Sequence, residues 1–379
     1  MPDTFMSRDV ADQLTECHGG PITCCAFAPR LAFAVSGGWD GQILYWDLET
    51  GQASARWQAS PKPISAITIT PDGQKILAGD MEGYLSEWQA PTHHSIRREL
   101  VHTRPIAGVA VAAHGHAWAT ASWDGSLQLW TQHHEENSHR TLRGHEDGVT
   151  GCTFWPDGKK LLSWSNDGTL RLWEVARAYT MQVWSYPGAR LIQAAIAPDA
   201  RAIVAVNEAG PLVLWNLTVP DHPSFYWEPD EPIRGAFFSP DAMMLRVVTA
   251  SCQLIQLTVP ELQEVPGRHH LQLGIHTATI SHAGECLGLG GEDGTLYLQT
   301  LDDWRKRPLF VTPTETIEER SLSGLFNRLM RHSQLKRILR CSCPRCGRLF
   351  EMDDATSVSS LTCGQCEAIL WLTPFTMTG

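Results

Sequence analysis

Along most of the chain, apolar and polar residues alternate in short runs that break at turn signals. The stretch from Val149 shows the pattern best: VTGCTF alternates, PDG turns, KKLLSWS alternates, NDG turns, and TLRLWEV alternates again. A period of two marks strands with one buried face, and Asp-Gly pairs allow the positive φ of tight antiparallel connections. The pattern then recurs at a nearly fixed interval. An apolar residue opens each unit at Ile22, Ile64, Ile106, Val149, Leu191, Ile233 and Ile275, in steps of 42, 42, 43, 42, 42 and 42 residues. A turn residue follows at Pro29, Pro71, Ala113, Pro156, Pro198, Pro240 and His282. A second turn centres on Asp40, Glu82, Asp124, Asp167, Ala209, Ser251 and Asp293, with Gly next in six of the seven units. Trp46, Trp88, Trp130, Trp173 and Trp215 close the first five units, and Leu257 and Gln299 the last two.

So strict a period means a repeat architecture. Four short strands per unit make a propeller blade, and seven units predict an all-β, seven-bladed β-propeller over residues 1–312. Gly144-His145 and Trp173-Glu174 bracket the fourth unit, and on these residues the chain resembles the WD-repeat family. That resemblance implies a hydrogen-bonded tetrad inside each complete blade. The matching positions are His18, Ser36, Asp40 and Trp46 in unit 1, and His102, Thr120, Asp124 and Trp130 in unit 3. Unit 4 matches with His145, Ser163, Asp167 and Trp173. Three equivalent copies of His, Ser or Thr, and Asp serve a scaffold, whereas a catalytic triad needs one. Units 2, 5, 6 and 7 lack tetrad members and are expected to rest on apolar packing instead.

The resemblance also implies a docking face. The residue before the turn Asp projects onto the narrower face of such a disc: Trp39, Met81, Trp123, Asn166, Glu208, Ala250 and Glu292. Trp39, Met81 and Trp123 fall on consecutive units and are the candidate partner contacts; the alternative is that they cover the channel. Ring closure is expected from residues 12–17, just before His18, with RPLFVT at 307–312 as the competing outer strand of blade 7.

After Leu301 the repeat stops. Residues 321–339 place Leu322, Leu325, Phe326 and Leu329 at helical spacing among arginines, which predicts an amphipathic basic helix within a linker at 313–340. Then Cys343 and Cys346 form one CxxC and Cys363 and Cys366 another, with 16 residues between. Two such turns aim four thiolates at one ion, so 341–379 reads as a small zinc ribbon whose structural Zn2+ supplies the stability that so short a segment cannot draw from a core. LFEM and ILWL alternate as strands behind the two turns, and Cys341 is a spare thiol that could be an alternative ligand.

Charge is uneven. Residues 1–303 hold 34 acidic against 19 basic residues, 304–348 hold 3 against 11, and 349–379 hold 4 acids and no base. A basic segment beside an acidic body fits either docking on protein or contact with nucleic acid through 313–379. The start, MPDTFMSRDVADQL, reads as no signal peptide, and no apolar run approaches membrane-span length. Reduced thiols and a cytoplasmic setting are therefore expected. The histidine pairs His93-His94, His133-His134 and His269-His270 read as solvated loop. With no phosphate loop, nucleophile elbow or open metal site in the sequence, the expectation is a non-catalytic interaction scaffold without a small-molecule substrate; a propeller enzyme is the remote alternative.

Overall fold

The computed structural model describes residues 17–29, 33–48, 52–90, 92–133, 136–186, 190–208, 211–218, 225–251, 253–265, 269–270, 274–281, 284 and 286–300. Beyond these it describes the backbone of 309–311, 315–320, 335–342, 349–353, 360–362 and 369–372. The chain divides into two compact units, Met1–Thr300 and Leu301–Gly379. Among the described residues no helix is long and apolar enough to cross a membrane.

The first unit is a seven-bladed β-propeller. Blade 1 is the meander Ile22–Phe27, Phe33–Gly38, Gln42–Asp47 and Gln52–Gln58, paired in sequence order and antiparallel throughout. Blades 2 to 6 repeat it, and blade 7 has three strands among the described residues, Ile275–Ile280, Cys286–Gly291 and Leu296–Thr300. All seven period-marking residues begin the innermost strand of a blade, and all are buried. The core lies between blades rather than within one. Val204, Leu212 and Leu214 of blade 5, for example, pack with Ile233, Val247 and Ile255 of blade 6. Each such side chain contributes roughly 1.5–3 kcal/mol by leaving water, and only a neighbouring blade can bury it. Repetition is thus a condition of stability.

In every blade the ladder between first and second strands slips by one residue just after the marker, as between Ile22 and Cys24 or Val149 and Gly151. This bulge frees the extra residue to reach the next blade. Thr23 donates its hydroxyl to the carbonyl of Ile64, Ser65 to that of Ile106 at 2.5 Å, and Thr150 to that of Leu191 at 2.5 Å. Between blades 5 and 6, Gln193 does the same work with a side-chain amide, giving and receiving one bond each with the backbone of Ala236 at 3.1 and 2.8 Å.

In the second unit one expectation is corrected, and the competing strand for blade 7 has another partner. Residues 309–311, the competing outer strand for blade 7, instead pair in parallel with Ile369–Leu372, matching Leu309 to Leu370. The expected strand 12–17 lies outside the described residues except for Cys17. Residues 335–339, expected as the end of the helix, are strand within Leu335–Ser342, between Glu315–Arg320 and Leu349–Asp353; residues 321–334 are outside the described set. The register supplies the reason, setting Glu315, Glu318 and Glu319 across from Arg340, Arg337 and Lys336. Opposite charges directly across a ladder favour pairing, so the basic run has an acidic strand as partner.

Candidate protein-docking face

The turn between second and third strands and the segment leading into each blade meet at one end of the ring. One backbone bond recurs in all seven blades. The amide of the residue before the turn donates to the carbonyl just ahead of the marker: Trp39 to Pro21, Met81 to Pro63, Trp123 to Pro105 and Asn166 to Gly148. Glu208 to Arg190, Ala250 to Pro232 and Glu292 to Gly274 complete the series, at 2.8–3.1 Å. The candidate contacts therefore occupy equivalent slots. Their exposure differs: Trp39 is 56% and Trp123 40% exposed, Glu208 and Glu292 are exposed, and Met81 and Asn166 are half-buried. An indole left more than a third open at two matching slots is large apolar area held in water.

Polar networks hold these slots in place. In blade 1 the His18 ring lies 3.0 Å from Asp40 through Nδ1 and 2.8 Å from Ser36 through Nε2, and Trp46 donates to the same hydroxyl at 2.8 Å. Blade 4 repeats this with His145, Asp167, Ser163 and Trp173 at 3.0, 2.8 and 2.9 Å. In blade 3, His102 joins Asp124 and Thr120 at 3.0 and 2.8 Å, while Trp130 stacks on His139 with centroids 5.0 Å apart. Burial depresses the His18 and His102 pKa values, with the paired aspartates pulling the other way. Burial alone would raise the Asp167 carboxyl, but His145, Thr169 and the Glu146 amide hold it far below the usual range. Every ring nitrogen and carboxylate oxygen in these networks has a hydrogen-bond partner.

Apolar packing alone does not hold blades 2, 6 and 7, contrary to the expectation from sequence. In blade 2 the work of the tetrad passes to Asp80, two residues earlier than the usual carboxylate. Asp80 accepts from Ser60 at 2.7 Å, from Arg98 at 2.9 Å, and from the amides of Glu82 and Tyr84. Arg98 comes from the outer strand and lies 3.9 Å over the Tyr84 ring. In blade 6, Glu231 accepts from the Thr249 hydroxyl at 2.7 Å and the Ser251 amide at 2.9 Å. In blade 7, Tyr297 donates to Asp293 at 2.5 Å, and burial together with that carboxylate raises the phenol pKa. Column matching missed these residues because each network draws on positions outside the tetrad columns. The one readable signal was Asp80, the lone acid at the end of a strand, KILAGD, that is apolar between its first and last residues.

The cysteines Cys343, Cys346, Cys363 and Cys366 lie outside the described residues, but the strands around them do not. Ser342 pairs with Leu349 and Thr362 with Ile369, so 343–348 and 363–368 each connect the two arms of an antiparallel hairpin. Each connection begins on the first cysteine of a CxxC. By donor chemistry, the two CxxC pairs supply the four thiolates that a tetrahedral zinc site takes.

The family described as WD domain, G-beta repeat matches residues 12–47, 95–131 and 136–174. The chain is 44% identical over 46 residues to a guanine nucleotide-binding protein subunit beta of Zea mays, which is 12% of each protein. It is 36% identical over 56 residues to the SAGA complex subunit Spt8 of Schizosaccharomyces pombe, covering 15% of this chain and 11% of that one. The chain thus matches only about an eighth of the length of these relatives. A solved structure, that of U3-55K, superposes with a TM-score of 0.67 at 17% identity, over 76% of this chain and 98% of that one. At that identity the likeness is one of fold. The family match places WD repeats in this chain.

Proposed function

We propose that the chain is a non-catalytic protein-interaction scaffold whose propeller captures a partner on the face that carries Trp39, Met81 and Trp123. The exposure of Trp39 and Trp123 in equivalent slots of blades 1 and 3 carries this reading. Tryptophan is over-represented at binding hot spots because it buries a large area at low entropic cost. The names of the relatives agree, since both are subunits of larger assemblies. The second unit is the other docking module, with Cys343, Cys346, Cys363 and Cys366 holding a structural zinc that cross-links its two hairpins. A nucleic-acid role for 313–379 rests on the basic balance of 304–348. The register that sets three of those cations against glutamates favours the protein reading.

The test is cross-linking and co-purification with the intact chain and with a Trp39→Ala, Trp123→Ala double variant. Capture should be lost in the variant while its melting temperature is unchanged, because both side chains are exposed. Undiminished capture would move the docking face elsewhere.

A further inference from the structure

The seven equivalent slots are not equivalent in chemistry. Blades 1 to 3 present Trp39, Met81 and Trp123; blades 5 and 7 present Glu208 and Glu292, both exposed and, among the described residues, in no ion pair. The surrounding turns and incoming segments of blades 4 to 7 carry more carboxylates than guanidinium groups, and Arg190 and Arg234 there pair with neither glutamate. The face is therefore polarised, with an apolar sector on one side of the ring and an acidic one on the other. From this charge complementarity, and building on the docking reading above, we infer that the occupant is a basic peptide segment with an apolar anchor. The anchor seats on Trp39 and Trp123, and Lys or Arg side chains lie over Glu208 and Glu292. Indole faces and unpaired carboxylates both favour cations. An acidic segment would meet like charge over half its path.

The test is fluorescence anisotropy on the full chain with three short synthetic peptides: one carrying Leu and Phe beside Lys and Arg, one with the basic residues replaced by Glu, and one with Leu and Phe replaced by Ser. The first should bind best and weaken with salt. A Glu208→Lys, Glu292→Lys variant, with both sites exposed, should keep its melting temperature and bind the first peptide about tenfold more weakly, with salt dependence reduced. The inference is overturned if the charge reversal leaves Kd unchanged, if the Glu peptide binds as well, or if no peptide binds. Should Trp39→Ala with Trp123→Ala abolish partner capture while the charge reversal does nothing, the docking reading stands and the basic occupant alone is rejected.

Discussion

The amide of His18 donates to the carbonyl of Gly294 at 2.9 Å, joining the first blade to the last. The same bond links other neighbours: Ser60 to Gly41 at 3.1 Å and His102 to Gly83 at 3.2 Å. In those pairs the donor lies two residues after the outer strand of the preceding blade. His18 thus meets blade 7 in the register of those two junctions, and the ring closes.

Gly294 has φ +81°, and a Cβ there would lie 2.4 Å from the His18 carbonyl oxygen. Gly294→Ala therefore meets both backbone strain and a clash with rigid main chain. Urea unfolding should show a loss of roughly 2–4 kcal/mol. A loss no larger than that of Gly115→Ala, where φ is also positive but nothing lies within 4 Å, would mean that the junction is loose.

Trp88 Nε1 is buried without a hydrogen-bond partner, and Ala78 stands where blades 1 and 4 place Ser36 and Ser163. Ala78→Ser should give the indole its acceptor and stabilise the propeller by about 1 kcal/mol. The gain should vanish in a Trp88→Phe background, which a double-mutant cycle would detect.

Arg98 neutralises Asp80, whose side chain is 2% exposed. Arg98→Ala should cost roughly 2–3 kcal/mol, since the carboxylate stays buried with a donor removed. Asp80→Asn in the same chain should recover part of that loss. A double-variant cost equal to the sum of the two single costs would show that the two do not couple.

Acid should unfold the propeller in two stages. His18 and His102 have folded pKa values below their ordinary 6.5, so the unfolded chain binds protons first and stability falls as pH drops below that value. Asp40, Asp124 and Asp167 are likewise depressed from 3.8, so their contribution is complete above that value and is lost as pH falls further. Denaturant midpoints at neutral pH, near 5.5 and near 3.5 should decline in that order. His18→Gln with His102→Gln should flatten the first step and leave the second.

Elemental analysis of the intact purified chain should find one zinc per molecule, absent after Cys343→Ser with Cys363→Ser. Retained zinc in that variant would assign the metal to other ligands.

Seven blades, the buried marker column, the tetrads of blades 1 and 4 and the His102–Asp124–Thr120 linkage of blade 3 were legible because each is a repeated local rule: a period of two, Asp-Gly turns and a fixed spacing. His18, Ser36, Asp40 and Trp46 could be picked out by register alone, since one blade folds much like another. Arg98, Glu231 and Tyr297 could not, because each repairs a blade in its own way and acts on a neighbour set by strand pairing. The end of the predicted helix was misread for the same reason. The apolar spacing around 335–339 fits a helix locally, but the partner strand Glu315–Arg320 supplies opposite charges across a ladder that no short window contains. The sequence by itself determined the number of blades and which residues face inward, because burial in a repeat follows from periodicity. Only the tertiary structure decided which polar groups complete the defective blades and that Trp39 and Trp123 stay open to water. Both depend on long-range pairing and on what packs against each side chain, and a linear pattern does not carry that information.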